Sequence, residues 1–77
     1  MQGHVQLTDI PVGQRVRIAQ LNSHPETCNR LRELGFCENA IIRCVNNGNG
    51  NIICEVCNTR VGLNQLVASA IVVSAVE

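Results

Sequence analysis

Cysteine is the residue type in this 77-residue chain with the most chemistry to offer: Cys28, Cys37, Cys44, Cys54 and Cys57. Five thiols cannot close into a complete disulfide framework within one chain, because the number is odd. Cys54-Glu55-Val56-Cys57 is a lone C-x-x-C, whereas a structural zinc site takes four Cys or His ligands in a tetrahedral array, usually from two such pairs. A hairpin turning at Gly48-Asn49 would set Cys44 near-opposite Cys54 across two strands. Cys54 and Cys57 would then face opposite sides of a regular strand, so both could reach one ion only if the strand ended or bulged between them. A cluster of Cys44, Cys54 and Cys57, completed by Cys37 or Cys28, is one expectation, for zinc, ferrous iron or an iron–sulfur cluster. The competing expectation is that Cys28 and Cys44 are small core residues, as free cysteine often is. A redox role for the C-x-x-C is a third. It lacks the following helix whose N-terminus would lower a thiol pKa.

Other chemistry is sparse. His4 falls in the first residues and His24 in the first turn of a predicted helix, and both are expected at the surface rather than as ligands. No Ser/His/Asp set, inward pair of carboxylates or phosphate-cradling loop can be assembled. Gly48 and Gly50 lack the strand-to-helix setting such a loop needs, so an enzyme is not expected. Six arginines, no lysine and six acids give a formal net charge of zero, which argues against a nucleic-acid partner. One Phe and no Trp or Tyr leave no platform on which bases could stack.

The elements that must position these residues are short. The length and the 45% apolar, 16% charged composition fit a single globular domain over residues 1–77 with a thin core. Arg15–Leu21 alternates with period two, placing Val16 and Ile18 inward against Arg15 and Arg17. Ser23-His24-Pro25-Glu26 reads as a capping box opening a helix over about Pro25–Leu34, with Cys28, Leu31 and Leu34 on its inner face. Gly35 ends that helix, and Phe36 folds back onto Leu31. Strands are expected over Ala40–Val45, Ile52–Val56, Val61–Leu63 and Ile71–Val76, with a helical turn at Asn64–Val67. About five short strands with one inserted helix bury a face best by curling into a small barrel. The longest mostly apolar run, Leu66–Val76, is too short for a membrane span of about 20 residues. Met1–His4 carries neither a basic region nor an apolar stretch, so a reducing cytoplasm with free thiols is expected.

In this order the chain resembles the ferrous iron transport protein A (FeoA) family and the related SH3-like domain of some metal-dependent repressors. Arg30-Leu31-Arg32-Glu33-Leu34-Gly35-Phe36 carries the family's arginine-leucine, leucine-glycine helix end. Leu7 to Gly13 precedes the first long strand, a glycine hairpin follows the helix, and Val61-Gly62-Leu63 through Leu66 to Ile71-Val72-Val73 closes the match. Glu38-Asn39-Ala40 stands where the family usually has a proline-glycine pair, and the five cysteines are no part of its pattern. The resemblance implies a mainly β, SH3-like barrel with no catalytic activity and no required cofactor. It also implies a cytoplasmic accessory role beside FeoB, the membrane ferrous-iron transporter. Arg30, Arg32 and Glu33 on the exposed helix face are the candidate contacts, with a solvated helix face as the plainer alternative. A small cysteine-ligated metal-binding or metal-sensing protein using Cys44, Cys54, Cys57 and Cys37 is the alternative function. A self-associating scaffold, a homo-oligomer, is a third.

Overall fold

A computed structural model describes residues 5–48 and 50–76; His4 lies outside them. The chain runs β1 (Val5–Gln6), a 3-10 turn (Leu7–Asp9), β2 (Arg15–Leu21), α1 (Pro25–Glu33), β3 (Ile41–Asn47), β4 (Asn51–Val56), β5 (Thr59–Asn64), α2 (Gln65–Ser69) and β6 (Ile71–Ala75). All six strands join one antiparallel sheet in the order β1-β6-β2-β3-β4-β5. Strand β1 was not expected. Its two residues carry no alternation, and only pairing of Val5 with Val73 and Gln6 with Val72 makes them a strand.

The sheet does not close, for β1 and β5 remain its edges. The small helix α2 packs against β4, β5, β6 and the 3-10 turn, so it plugs the space between the two sheet ends. Asn64 caps α2, its side-chain oxygen accepting from the Val67 N–H at 2.8 Å. Alternation along the strands puts Val16, Ile18, Ile42, Cys44, Ile52, Cys54 and Val73 on the concave side, each essentially without exposed surface. Phe36 is the largest fully buried side chain, and the core gathers around it.

Helix α1 starts one residue later than a Ser23 capping box requires. A proline disfavours helical geometry in the residue before it, and His24 is accordingly extended (φ −59°, ψ 150°). His24 is therefore the cap, without a side-chain capping bond, and Glu26 falls one position short of the box. The other end behaves as expected. Gly35 adopts φ +104°, its N–H donates to Arg32 at 3.1 Å and the Phe36 N–H donates to Leu31 at 2.8 Å, the two bonds of a Schellman ending. Leu31 is buried, but Leu34 is 43% exposed and not the core residue its spacing suggested. It is the C-cap, and the chain has begun to turn away there.

The missing proline-glycine pair has a structural replacement. The Ala40 N–H donates to Cys37 at 3.0 Å, closing a four-residue turn, and Asn39 holds φ +74° at its third position. Asparagine tolerates this left-handed conformation better than most residues, so it supplies what glycine otherwise would. The turn is tied to β2: the Asn39 N–H donates to Ile18 at 2.8 Å and the Ile18 N–H to Ala40 at 2.9 Å.

Candidate functional site

The five thiols divide between two environments. Cys44 and Cys54 are direct cross-strand partners, as the hairpin register required, and both are wholly buried. Burial disfavours the charged thiolate, so both pKa values rise; that of Cys54 is pushed up to about 12, first by desolvation and then by Cys44. These two sulfurs are protonated at neutral pH, and metal ligation and nucleophilic chemistry both need the thiolate. Cys28 is buried on the inner side of α1, its thiol 3.4 Å from the Ser23 carbonyl and 3.8 Å from that of Leu21.

Cys37 and Cys57 are exposed. Strand β4 ends at Val56, and Cys57-Asn58 forms a two-residue hairpin turn with both φ values positive (53° and 63°). The C-x-x-C is thereby split, with Cys54 in the core and Cys57 on the turn. Cys57 lies beside the end of α1, because a Cβ placed on Gly35 would come within 3.2 Å of its Sγ. Cys37 Sγ is 3.9 Å from the Gly35 carbonyl oxygen. Of the four thiols considered as metal ligands, the structure pairs Cys44 with Cys54 inside and leaves Cys37 and Cys57 on the surface. Among the described residues no three His, Cys, Asp or Glu side chains are grouped so as to hold a metal ion.

The helix residues considered as partner contacts are all exposed. Arg32 and Glu38 form a two-point pair, with the Arg32 Nη2 2.9 Å from the carboxylate, so Arg32 is partly occupied within the chain. That hydrogen bond holds the Glu38 carboxyl below its ordinary range and raises the Arg32 guanidinium. Arg30 and Leu34 edge a groove between α1 and β5, floored by Leu31 and Leu63.

A second charged surface lies on the convex side of the sheet. The registers pair Arg15 with Arg43, Arg43 with Glu55 and Glu55 with Arg60, so these four residues form one row across β2, β3, β4 and β5. Glu55 accepts from Arg43 at 2.8 Å and lies 4.0 Å from Arg60. Among the described residues Arg15 and Arg17 form no ion pair. Sequence analysis placed Arg15 and Arg17 on the polar side of their strand but did not assemble the row. The signal was present in the same hairpin register that brought Cys44 to Cys54, since Arg43 and Glu55 are their immediate neighbours.

A six-stranded antiparallel sheet curled over one core, with a helix inserted after the first long strand and a helical plug before the last, defines a small SH3-like β protein. A family model for the FeoA domain matches residues 5–75, and the chain belongs to the FeoA family. The FeoA protein from Chlorobium tepidum superposes with a TM-score of 0.87 at 18% identity, covering 95% of this chain and 71% of that one. A crystal structure of an iron uptake regulatory protein (FeoA) gives 0.83 at 19% identity, covering 94% and 96%. A manganese-dependent transcriptional repressor gives 0.88 at 19% identity over 99% of this chain, which spans 44% of the repressor. At these identities the superpositions speak for the fold alone. No curated protein matches the chain in sequence. Family membership makes this a small protein of ferrous iron uptake. None of the described helices is long and apolar enough to cross a membrane.

Proposed function

We propose that this chain is a non-catalytic accessory protein of bacterial ferrous iron uptake that docks on the cytoplasmic side of the FeoB transporter and supports or regulates it. The observation that carries this reading is the family match, which runs from Val5 to Ala75 and so takes in every strand and both helices. The chemistry of the molecule agrees with a docking role. The Cys44 and Cys54 thiols are held protonated in the core, while Arg15, Arg17, Arg43 and Arg60 on the sheet's convex face and Arg30, Arg32 and Glu33 on α1 are exposed. An antiparallel sheet with one face on the core and one in solvent offers a rigid surface for a partner.

Cysteine-ligated metal binding, the alternative function, draws no support from the thiol geometry, since two of its four sulfurs sit in the core. Ferrous uptake by cells lacking the gene, grown under iron limitation, tests the proposal. Uptake falls well below that of the parent strain and returns with the gene. Unimpaired uptake in the deletion strain contradicts it.

A further inference from the structure

Zero net charge conceals an uneven surface. Four of the six arginines, Arg15, Arg17, Arg43 and Arg60, stand on the convex face of β2, β3 and β5, and among the described residues Glu55 is the one carboxylate beside them. The described residues give this face a net charge of +3. The other two arginines, Arg30 and Arg32, share α1 and the turn after it with Glu26, Glu33 and Glu38. Within the face the charges are ordered. Glu55 serves Arg43 and Arg60 at one end of the row, and among the described residues Arg15 and Arg17 at the other end have no carboxylate partner. Arg15 also sits directly opposite Arg43, and like charges at opposed positions disfavour a sheet. Folding alone does not ask for this arrangement.

The two arginines meet at a shallow hollow whose other walls include Ile41, Glu55, Cys57 and Asn58. A guanidinium offers two parallel N–H donors to a carboxylate, and an apolar side chain at the rim limits the water around the pair. We propose that this face, centred on Arg15, Arg17 and Arg43, is the surface on which the chain docks to an acidic patch of a partner protein. The inference rests on the docking role above, and it assigns that role to the sheet in place of α1.

The pattern selects a protein surface over a polyanion. A nucleic acid or a sheet of anionic lipid presents negative charge at every repeat, and Glu55 in the middle of the row would repel part of it. A folded protein can match a plus, plus, minus, plus order by placing a carboxylate against Arg15 and Arg43 and a donor against Glu55. Among the described residues this face also carries no aromatic side chain on which bases could stack.

The experiment measures binding of the whole chain to the transporter's purified cytoplasmic domain and, separately, to phosphatidylglycerol-containing vesicles. Four proteins are compared: wild type, Arg15→Glu/Arg17→Glu, Arg15→Gln/Arg17→Gln and Arg30→Glu. All substituted positions are exposed, and an unchanged melting midpoint shows that each variant folds. The expected result is a tenfold or greater loss of affinity for the glutamate pair, a smaller loss with a flatter salt dependence for the glutamine pair, and less than twofold for Arg30→Glu. Vesicles are expected to bind none of the four. Wild-type binding that the Arg15/Arg17 variants leave unchanged overturns the inference and spares the docking role. Vesicle binding that these variants abolish overturns it in favour of a membrane surface. A wild-type chain that binds no cytoplasmic domain overturns the docking role itself, and this inference with it.

Discussion

Strands β3 and β4 carry opposite chemistries one residue apart. On the concave side Cys44 faces Cys54, and on the convex side their neighbours Arg43 and Glu55 face each other. The thiols have no exposed surface and are held protonated by desolvation, while the charged pair keeps a third to a half of its side-chain surface in water. A single register sets both pairings, because successive side chains of a strand point to opposite faces. The comparison separates the two roles that cysteine and arginine content could have suggested. The most numerous reactive side chains serve mainly to fill a small core, and the residues whose charges cancel in the composition are the ones the fold displays.

The largest test of that division compares adjacent isoleucines on β3. Ile42 is 1% exposed and Ile41 is 37% exposed. Ile42→Ala is expected to cost about 2–5 kcal/mol of unfolding free energy, against less than about 1 kcal/mol for Ile41→Ala. Denaturant midpoints measure both, and equal losses would break the two-faced description of the sheet.

The thiols give the next largest contrast. Cys54→Ser puts a hydroxyl in an apolar site beside Cys44 and is expected to cost about 1–3 kcal/mol, whereas Cys57→Ser on the exposed turn stays within about 0.5 kcal/mol. Labelling of the native protein with a thiol reagent modifies Cys37 and Cys57 quickly, and Cys28, Cys44 and Cys54 only after unfolding. The raised pKa of Cys54 adds a pH dependence. Its contribution to stability is complete below the ordinary thiol value of 9.0 and is lost as pH rises from there towards about 12, because the unfolded chain ionises first. Cys54→Ala should flatten the alkaline decline in melting midpoint. A slope unchanged by that substitution would contradict the assignment.

A smaller effect is expected at the turn that ties α1 to β3. Asn39→Ala places a less tolerant residue at φ +74° and should cost about 1 kcal/mol, whereas Asn39→Gly should cost nothing measurable. Thermal midpoints distinguish the two. The smallest effect belongs to the convex face. Glu55→Gln leaves Arg43 and Arg60 without their shared carboxylate, and the loss should be no more than about 1 kcal/mol at low salt and should vanish at high salt. A large, salt-insensitive loss would make Glu55 a structural residue and remove it from the displayed surface.

Much of this fold was legible in the sequence where one local signal was enough. The alternation of Arg15–Leu21 specified β2, and Gly35-Phe36 specified the end of α1 down to its two hydrogen bonds. Elements that depend on distant partners were not legible. Val5-Gln6 becomes a strand only because β6 passes alongside it. Leu34 had the right helical spacing but fell at the cap, where the chain leaves the core. Ser23 had the right residue type for a cap, and the restriction that Pro25 places on His24 moved the cap by one position. The arginine row needs three registers at once, and the Asn/Gly turn specifies only the one between β3 and β4. Net charge carried no information about it, because Asp9, Glu26, Glu33 and Glu38 offset it from other parts of the chain.

The central claim is that the convex face, and not α1, meets the partner. The most direct measurement is NMR titration of the isotopically labelled chain with the transporter's cytoplasmic domain, following each backbone amide. The account predicts the largest shifts at Arg15, Arg17, Ile41, Arg43 and Glu55, with the amides of Arg30 to Glu33 little changed. Shifts concentrated on Arg30, Arg32 and Glu33, with the strand residues silent, would contradict it.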